Sequence, residues 1–193
     1  MKVLLVNGSR REFGCTYTAL KEVAGALEKA GISTEILYVG KAAANGSIDE
    51  IVKKTGAMLD QVDGIVLGSP VYYASPSGEV QMFLDRLFVQ YGAALRYKPG
   101  AAVVSARRAG TTAALDVLNK YLMINEMPVV SSQYWNMVHG NSPEEVRQDA
   151  EGMQIMRILG QNMAWLLKCI EAGKHAGIKA ERTEEKVKTN FIR

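Results

Sequence analysis

The stretch Val6–Thr16, VNGSRREFGCT, joins an apolar strand to a helix through a short polar loop, and its reading decides the fold. The preceding residues, MKVLLV, are aliphatic and β-branched, as a buried strand requires. Thr16 is the expected N-cap of the helix that follows, so the amides of the loop converge on one small volume. A helix start carries unpaired N–H groups and roughly half a positive charge, which suits an anion. Arg10 and Arg11 add formal charge beside it. Two readings of this arginine pair stand: it faces a phosphate, or both side chains point into water at an ordinary strand-to-helix turn.

Working outward, residues 16–30 read as a helix with Leu20, Val23, Ala24 and Leu27 on one face, stopped by Gly31. A second strand spans 32–39, and strand, helix, strand in this order forms a right-handed parallel unit. Residues 40–46 read as loop, and Ser47 with Glu50 forms a capping box for a helix to about Gln61. The third strand, GIVLGS from Gly64 to Ser69, is almost continuously apolar, as a central strand covered on both faces should be. It runs into PVYYASPSGEV, a loop with two tyrosines and two prolines, before a helix over 78–90. The fourth strand is AAVVSA, 101–106; the loop SARRAGTT follows it and leads into a helix over 112–124. A short fifth strand is expected over 127–132, with the aromatic loop QYWNMVHGN behind it.

Ser142-Pro143-Glu144-Glu145 combines an N-cap, a proline at the first helical position and a capping glutamate, predicting one long helix from there to about Glu171. Met153, Met156, Met163, Leu167 and Ile170 form an apolar stripe along it, the mark of core or of a subunit interface. The final stretch, IKAERTEEKVKTNFIR, is charged up to Phe191-Ile192 and reads either as a tail laid across a neighbour or as a frayed end. Five strands alternating with helices predict an α/β fold of the doubly wound kind, a parallel sheet in the order 2-1-3-4-5 with an added long C-terminal helix. In that order the loops after strands one, three and four meet outside the carboxyl ends of the strands, where such sheets bind ligands.

Composition narrows the function classes. A chain of 193 residues with 48% hydrophobic content can bury a full core, and a single domain over 1–193 is expected. The 23 basic and 20 acidic residues are interspersed, which argues against a nucleic-acid footprint. No apolar run approaches the roughly 18 residues of a membrane span, and Met1 leads straight into a strand without a signal-peptide pattern, so a cytoplasmic location is expected. Two cysteines, Cys15 and Cys169, are too few for a structural zinc or a four-thiolate iron–sulfur cluster. Cys15 is expected to present its backbone N–H, its thiol staying inert.

The glycines of the first loop, Gly8 and Gly14, fit neither the GxGxxG dinucleotide fingerprint nor the lysine-bearing P-loop. The chain does resemble the flavodoxin-like NAD(P)H-dependent FMN reductases. Their first loop runs GSPRxxGNT and their third-strand loop runs GSPVYxxxxSGxxKxFxDR; the matching stretches here are GSRREFGCT and GSPVYYASPSGEVQMFLDR, with SARRAGTT as the third flavin loop. The resemblance implies that Ser9, Arg11, Cys15 and Thr16, with Gly14 among them, hold the FMN phosphate. It places Pro70, Val71, Tyr72 and Tyr73 along the flavin ring and Ala106, Arg107 and Gly110 at its other edge. From the residues alone, packing under a loop is the lesser alternative for Tyr72 and Tyr73, and Arg107 and Arg108 either reach a nicotinamide nucleotide phosphate or are solvated. Arg10 stands where the family has proline, and the cysteine-bearing insert of many relatives is reduced to GKAAANG.

The resemblance thus implies an FMN-dependent oxidoreductase: NAD(P)H gives hydride to bound FMN, and electrons pass on to a quinone, free flavin or other small acceptor. The cofactor carries that chemistry, so no side chain is assigned as acid, base or nucleophile. His139 either approaches the flavin or is held by backbone. Subunit pairing as a homodimer or tetramer is expected, with the methionine stripe as the candidate surface. The alternatives are an FMN-binding electron carrier that does not turn over nicotinamide, which the slightly basic charge disfavours, and a flavin-free scaffold for another phosphate ligand.

Overall fold

The computed structural model describes residues 1–181 and 184–191; Ile192, expected at the apolar end of the tail, lies outside the described residues. The strands are β1 (Lys2–Asn7), β2 (Ser33–Tyr38), β3 (Gly64–Tyr72), β4 (Ser75–Pro76), β5 (Gly100–Ala106) and β6 (Met137–His139). The α-helices are α1 (Cys15–Lys29), α2 (Gly40–Ala44), α3 (Ile48–Met58), α4 (Gly78–Tyr91), α5 (Thr111–Ile124), α6 (Pro143–Gln148) and α7 (Ala150–His175). Their order in the sheet is β2-β1-β3-β5-β6, all parallel, with the two-residue β4 paired antiparallel to β3. Leaving that hairpin aside, this is the doubly wound 2-1-3-4-5 order.

The central strands are covered on both faces, which is why they read as unbroken apolar runs. Leu4, Val6, Ile65, Leu67, Ala102 and Val104 face α3, α4 and α5, where Val52, Phe83, Leu87 and Leu118 complete the packing. Val3, Leu5, Val66, Ala101 and Val103 face the other way, onto α1 and α7. There Leu20, Val23 and Leu27 of α1 meet Met156, Leu159 and Met163 of α7. The methionine stripe is therefore part of this chain's own core: Met156 and Met163 are fully buried and Met153 is 9% exposed. The expectation of a subunit surface along it is corrected.

Four local expectations shift. Helix α1 begins at Cys15 and its N-cap is Gly14, so Thr16 lies inside the first turn rather than capping it. Ser47 does precede α3, but its Oγ donates to Asn45 Oδ1 (2.6 Å) and makes no capping bond, while the expected loop ahead of it folds as α2. The stretch 127–132 forms only one bridge, Val129 beside Gly100, with the Pro128 carbonyl and the Val130 N–H both on Gly100; the edge of β5 is taken further along by β6. The predicted long helix is broken at Asp149, whose Oδ1 accepts the Gly152 N–H (2.9 Å) to start α7, while its Oδ2 accepts the His139 N–H (2.7 Å). Among the described residues no helix is long and apolar enough to cross a membrane.

The turn from β2 into α2 brings Gly40 against the first loop, where a Cβ would collide with the Ser9 carbonyl. Gly40→Ala should therefore lower unfolding free energy by about 1–3 kcal/mol. Gly25→Ala on α1, where nothing lies within 4 Å of a built Cβ, should raise it by up to about 1 kcal/mol. Urea unfolding of the two variants beside the parent chain checks both signs.

Candidate functional site

The loop after β1 is held by its own side chains. Asn7 is fully buried; its Nδ2 donates to the Glu12 carbonyl (2.8 Å) and its Oδ1 accepts the Ser9 N–H (3.2 Å). Ser9 Oγ accepts the Arg11 N–H (3.1 Å), leaving the Ser9 hydroxyl proton free to donate. Ser77, the N-cap of α4, donates its Oγ–H to the Gly8 carbonyl (2.7 Å) and accepts the Val80 N–H (3.2 Å), tying the first loop to the loop after β3. The third loop is tied in through Thr16 and Ser105, whose hydroxyls lie 2.8 Å apart in a buried contact.

These bonds bring three loops round one cleft of about 240 Å³ at the carboxyl ends of the strands. Nine of the twelve residues singled out by sequence line it: Ser9, Arg11, Cys15, Thr16, Pro70, Val71, Tyr72, Ala106 and Arg107. Three do not. Gly14 sits behind it as the N-cap of α1. Tyr73 is fully exposed at the tip of the β3–β4 hairpin, where it and Ala74 both have positive φ (51° and 57°), the backbone of a two-residue hairpin turn. Gly110, at φ 90°, supports that tip: a Cβ there would come 2.8 Å from Ala74 Cα. Tyr72 and Tyr73 thus have separate surroundings, one at the cleft and one in solvent.

Sequence reasoning missed Ser105, Gly140 and Asn141, which also line the cleft. Ser105 was legible as the residue before Ala106; Gly140 and Asn141 arrive through the displaced β6. His139 lies beside them but outside the lining, its N–H on Asp149 and its Nδ1 3.8 Å from the same carboxylate.

Charge divides the arginines. Arg10 turns away from the cleft: its Nε pairs with Glu79 Oε1 (2.5 Å) and its guanidinium stands 6.0 Å from the Tyr72 ring centroid. Arg11 and Arg107 line the cleft, exposed and without a carboxylate in ion-pair range among the described residues, and no carboxylate lines it with them. The first turn of α1 carries no acidic side chain and no side-chain cap, so its amides remain for an outside acceptor. Cys15 Sγ donates to the Gly140 carbonyl (3.7 Å), and burial pushes its thiol pKa up, opposed by a backbone hydrogen bond and by Arg11 and reinforced by Glu145 and Glu144 just outside the cleft.

Residues 1–142 match the family described as NADPH-dependent FMN reductase. The chain belongs to that family. It is accordingly a flavin-dependent oxidoreductase with FMN as cofactor and a nicotinamide nucleotide as electron donor. An iron–sulfur flavoprotein of Methanocaldococcus jannaschii is 30% identical over 196 residues, covering 89% of this chain and all of that protein. The flavodoxin, WrbA-like protein from Agrobacterium tumefaciens shares the fold, with TM-score 0.65 and 17% identity over 87% of this chain and 97% of that one. So does RosB, solved with bound 8-demethyl-8-formylriboflavin-5'-phosphate, with TM-score 0.69 and 15% identity over 100% of this chain and 94% of that one. The two cysteines of this sequence depart from the iron–sulfur name of the first relative. Cys15 lines the cleft, whereas Cys169 lies far along α7, and two thiolates do not make a four-thiolate set.

A raised pKa keeps the Cys15 proton on at neutral pH, so its thiolate forms only at more alkaline pH than that of a free cysteine. Iodoacetamide at pH 7.5 should label the exposed Cys169 first, with Cys15 labelling accelerating as pH rises; peptide mass spectrometry reads both rates.

Proposed function

We propose that FMN is held in this cleft and that the protein uses it to pass electrons from NAD(P)H to a small acceptor such as a quinone or free flavin. The observation that carries the reading is the pairing of Arg11 and Arg107, which have no carboxylate in ion-pair range among the described residues, with an uncapped helix start in a cleft whose described lining holds no carboxylate. That donor set fits a phosphate and an electron-rich ring. Ser9 Oγ–H, the Arg11 guanidinium and the first-turn amides of Cys15 and Thr16 would bind the phosphate. Pro70, Val71 and Tyr72 would flank the ring on one side and Ala106 and Arg107 on the other, with Gly14, Tyr73 and Gly110 shaping the loops that carry them.

When bound, FMN supplies the two-electron chemistry that links nicotinamide to the acceptor. The chain's own residues bind and orient. Arg107 sets positive charge beside any group that gains electrons there, and Tyr72, 41% exposed, offers a flat wall open to solvent. We further infer one cytoplasmic domain that pairs as a homodimer or tetramer through surfaces other than the methionine stripe. Exposed Tyr134 and Trp135, in edge contact at 4.8 Å, offer one such surface.

The purified protein should show oxidised-flavin absorbance, release FMN by mass, and oxidise NADH or NADPH when an acceptor is added. Flavin bands without nicotinamide oxidation would favour the electron carrier. Arg11→Ala should weaken FMN binding about 10- to 100-fold, or roughly 1.4–3 kcal/mol, by loss of a charge-assisted bond. Arg10→Ala should change it less than about threefold, since Glu79 already holds that guanidinium. The reverse ranking, measured by fluorescence titration, would move the phosphate to the Glu79 side of the loop.

A further inference from the structure

Besides that of Ser9, one more hydroxyl proton at the cleft is unspent within the chain. Strand β5 alternates its side chains, and Ala101 and Val103 lie on the face packed by α1 and α7. The next position on that face is Ser105, and the helix residue that meets it is Thr16, in the first turn of α1. Both are polar on a face that is otherwise apolar, and both are enclosed: Thr16 is 0% and Ser105 3% exposed. Each is held by its own element, Ser105 in register between Pro70 of β3 and Val138 of β6, and Thr16 by its helix.

Proton counting gives the pair a direction. Each hydroxyl has one proton to donate, and the contact between them, 2.8 Å from Oγ1 to Oγ, uses one of the two. Neither hydroxyl has a second hydrogen-bond partner among the described residues. Thr16, with no solvent contact, has Ser105 as its acceptor and therefore donates to it. The Ser105 proton is left over, on the member of the pair that keeps a little exposure, and both residues line the cleft. An unspent buried donor is costly, whereas an apolar pair of the same shape would pack there without that cost. The surplus proton points to an acceptor on a ligand.

We propose that Ser105 recognises the polyol chain of FMN by donating its hydroxyl proton to one chain hydroxyl, and that Thr16 is the positioning residue that turns it there. The inference rests on the FMN reading above. In that reading the first-turn amides and Arg11 take the phosphate, while Ala106 and Arg107 take the edge of the ring. Ser105 stands between the two sets, bonded to Thr16 on one side and followed by Ala106 on the other. The part of FMN that joins phosphate to ring is the polyol, a run of neutral hydroxyls that both accept and donate. A single neutral donor suits that neutral acceptor, since the charge at the cleft is carried by Arg11 and Arg107.

Fluorescence titration of the full chain with FMN and with analogues lacking one polyol hydroxyl at a time tests this. In the parent, loss of one particular hydroxyl should weaken binding about five- to tenfold, because it leaves the Ser105 donor unpaired. In Ser105→Ala that analogue and FMN should bind within about twofold of each other, the donor being gone. Thr16→Val should shrink the parent's discrimination to less than about threefold, and Thr16→Ser should restore it. A contact that only braces the fold would lower stability without moving that ratio. FMN binding in which the parent discriminates against none of the analogues, or equal discrimination by the parent and Ser105→Ala, overturns the inference and leaves the flavin reading intact. A parent chain that binds none of these flavins overturns both.

Discussion

The arrangement at the carboxyl end of the sheet depends on one buried side chain, Asn7. It ends β1 with no solvent contact, and both ends of its amide are spent on the loop that follows: Nδ2 on the Glu12 carbonyl and Oδ1 on the Ser9 N–H. A loop turning from a central strand into a helix has backbone groups that neither element can satisfy, and leaving them unpaired in a buried place is costly. Asn7 meets that demand from within, Ser77 meets it from α4 through the Gly8 carbonyl, and Tyr38 meets it from β2 through the Arg10 carbonyl (2.8 Å). With its backbone anchored from three directions, the loop can leave the first-turn amides of α1 unpaired without losing its shape. An anion site needs donors that are both free and fixed, and this division of labour provides them.

The same division explains what was legible in the amino-acid sequence. Four of the five main strands fall where they were expected: β1, β3 and β5 because burial on both faces leaves an unbroken apolar run, and the half-buried edge strand β2 because turn residues bound it, whereas the fifth lies elsewhere. The three loops at the sheet mouth were legible because topology, not local chemistry, brings them together. What was hidden is long-range. Nothing local to Pro128 says that the edge of β5 will be completed about ten residues later by Met137–His139, and with that shift come Gly140 and Asn141 at the cleft. Nor could helical spacing tell a methionine stripe facing α1 from one facing another subunit, since both bury the same positions.

Arg10 and Arg11 show the limit most sharply. As neighbours in sequence they add equal formal charge to a helix start, but the chain bends at both positions, held by the Ser9 Oγ and Arg11 carbonyl bonds, and the two side chains part. One side holds Glu79, 69 residues away, and the other holds the cleft. Arg10 stands where relatives of this kind have proline, and its ion pair supplies a contact between the first loop and α4 that a proline could not make. Glu79 is mostly buried, and its second oxygen, Oε2, has no hydrogen-bond partner among the described residues. A carboxylate in that position needs its cation, and this couples the choice of Arg at 10 to that of Glu at 79.

The fold also separates its two ends chemically. Parallel strands put all their carboxyl ends at one pole and all their starts at the other, so loops that turn into helix N-termini gather where the strands finish. At that pole the charges on the cleft wall are Arg11 and Arg107, aided by partial charges on the α1 amides, and the walls are mixed in character. At the other pole, segments enter the strands through Asp63-Gly64 and Pro99-Gly100, and the end of α7 packs against them. The result there is a largely apolar chamber with charges of both signs at its rim. Backbone donors in a fixed fan favour a compact, multiply charged phosphate, whereas single ammonium groups on long stems tolerate a variety of ligand positions. The pole that gathers helix starts is thereby the one suited to a multiply charged anion.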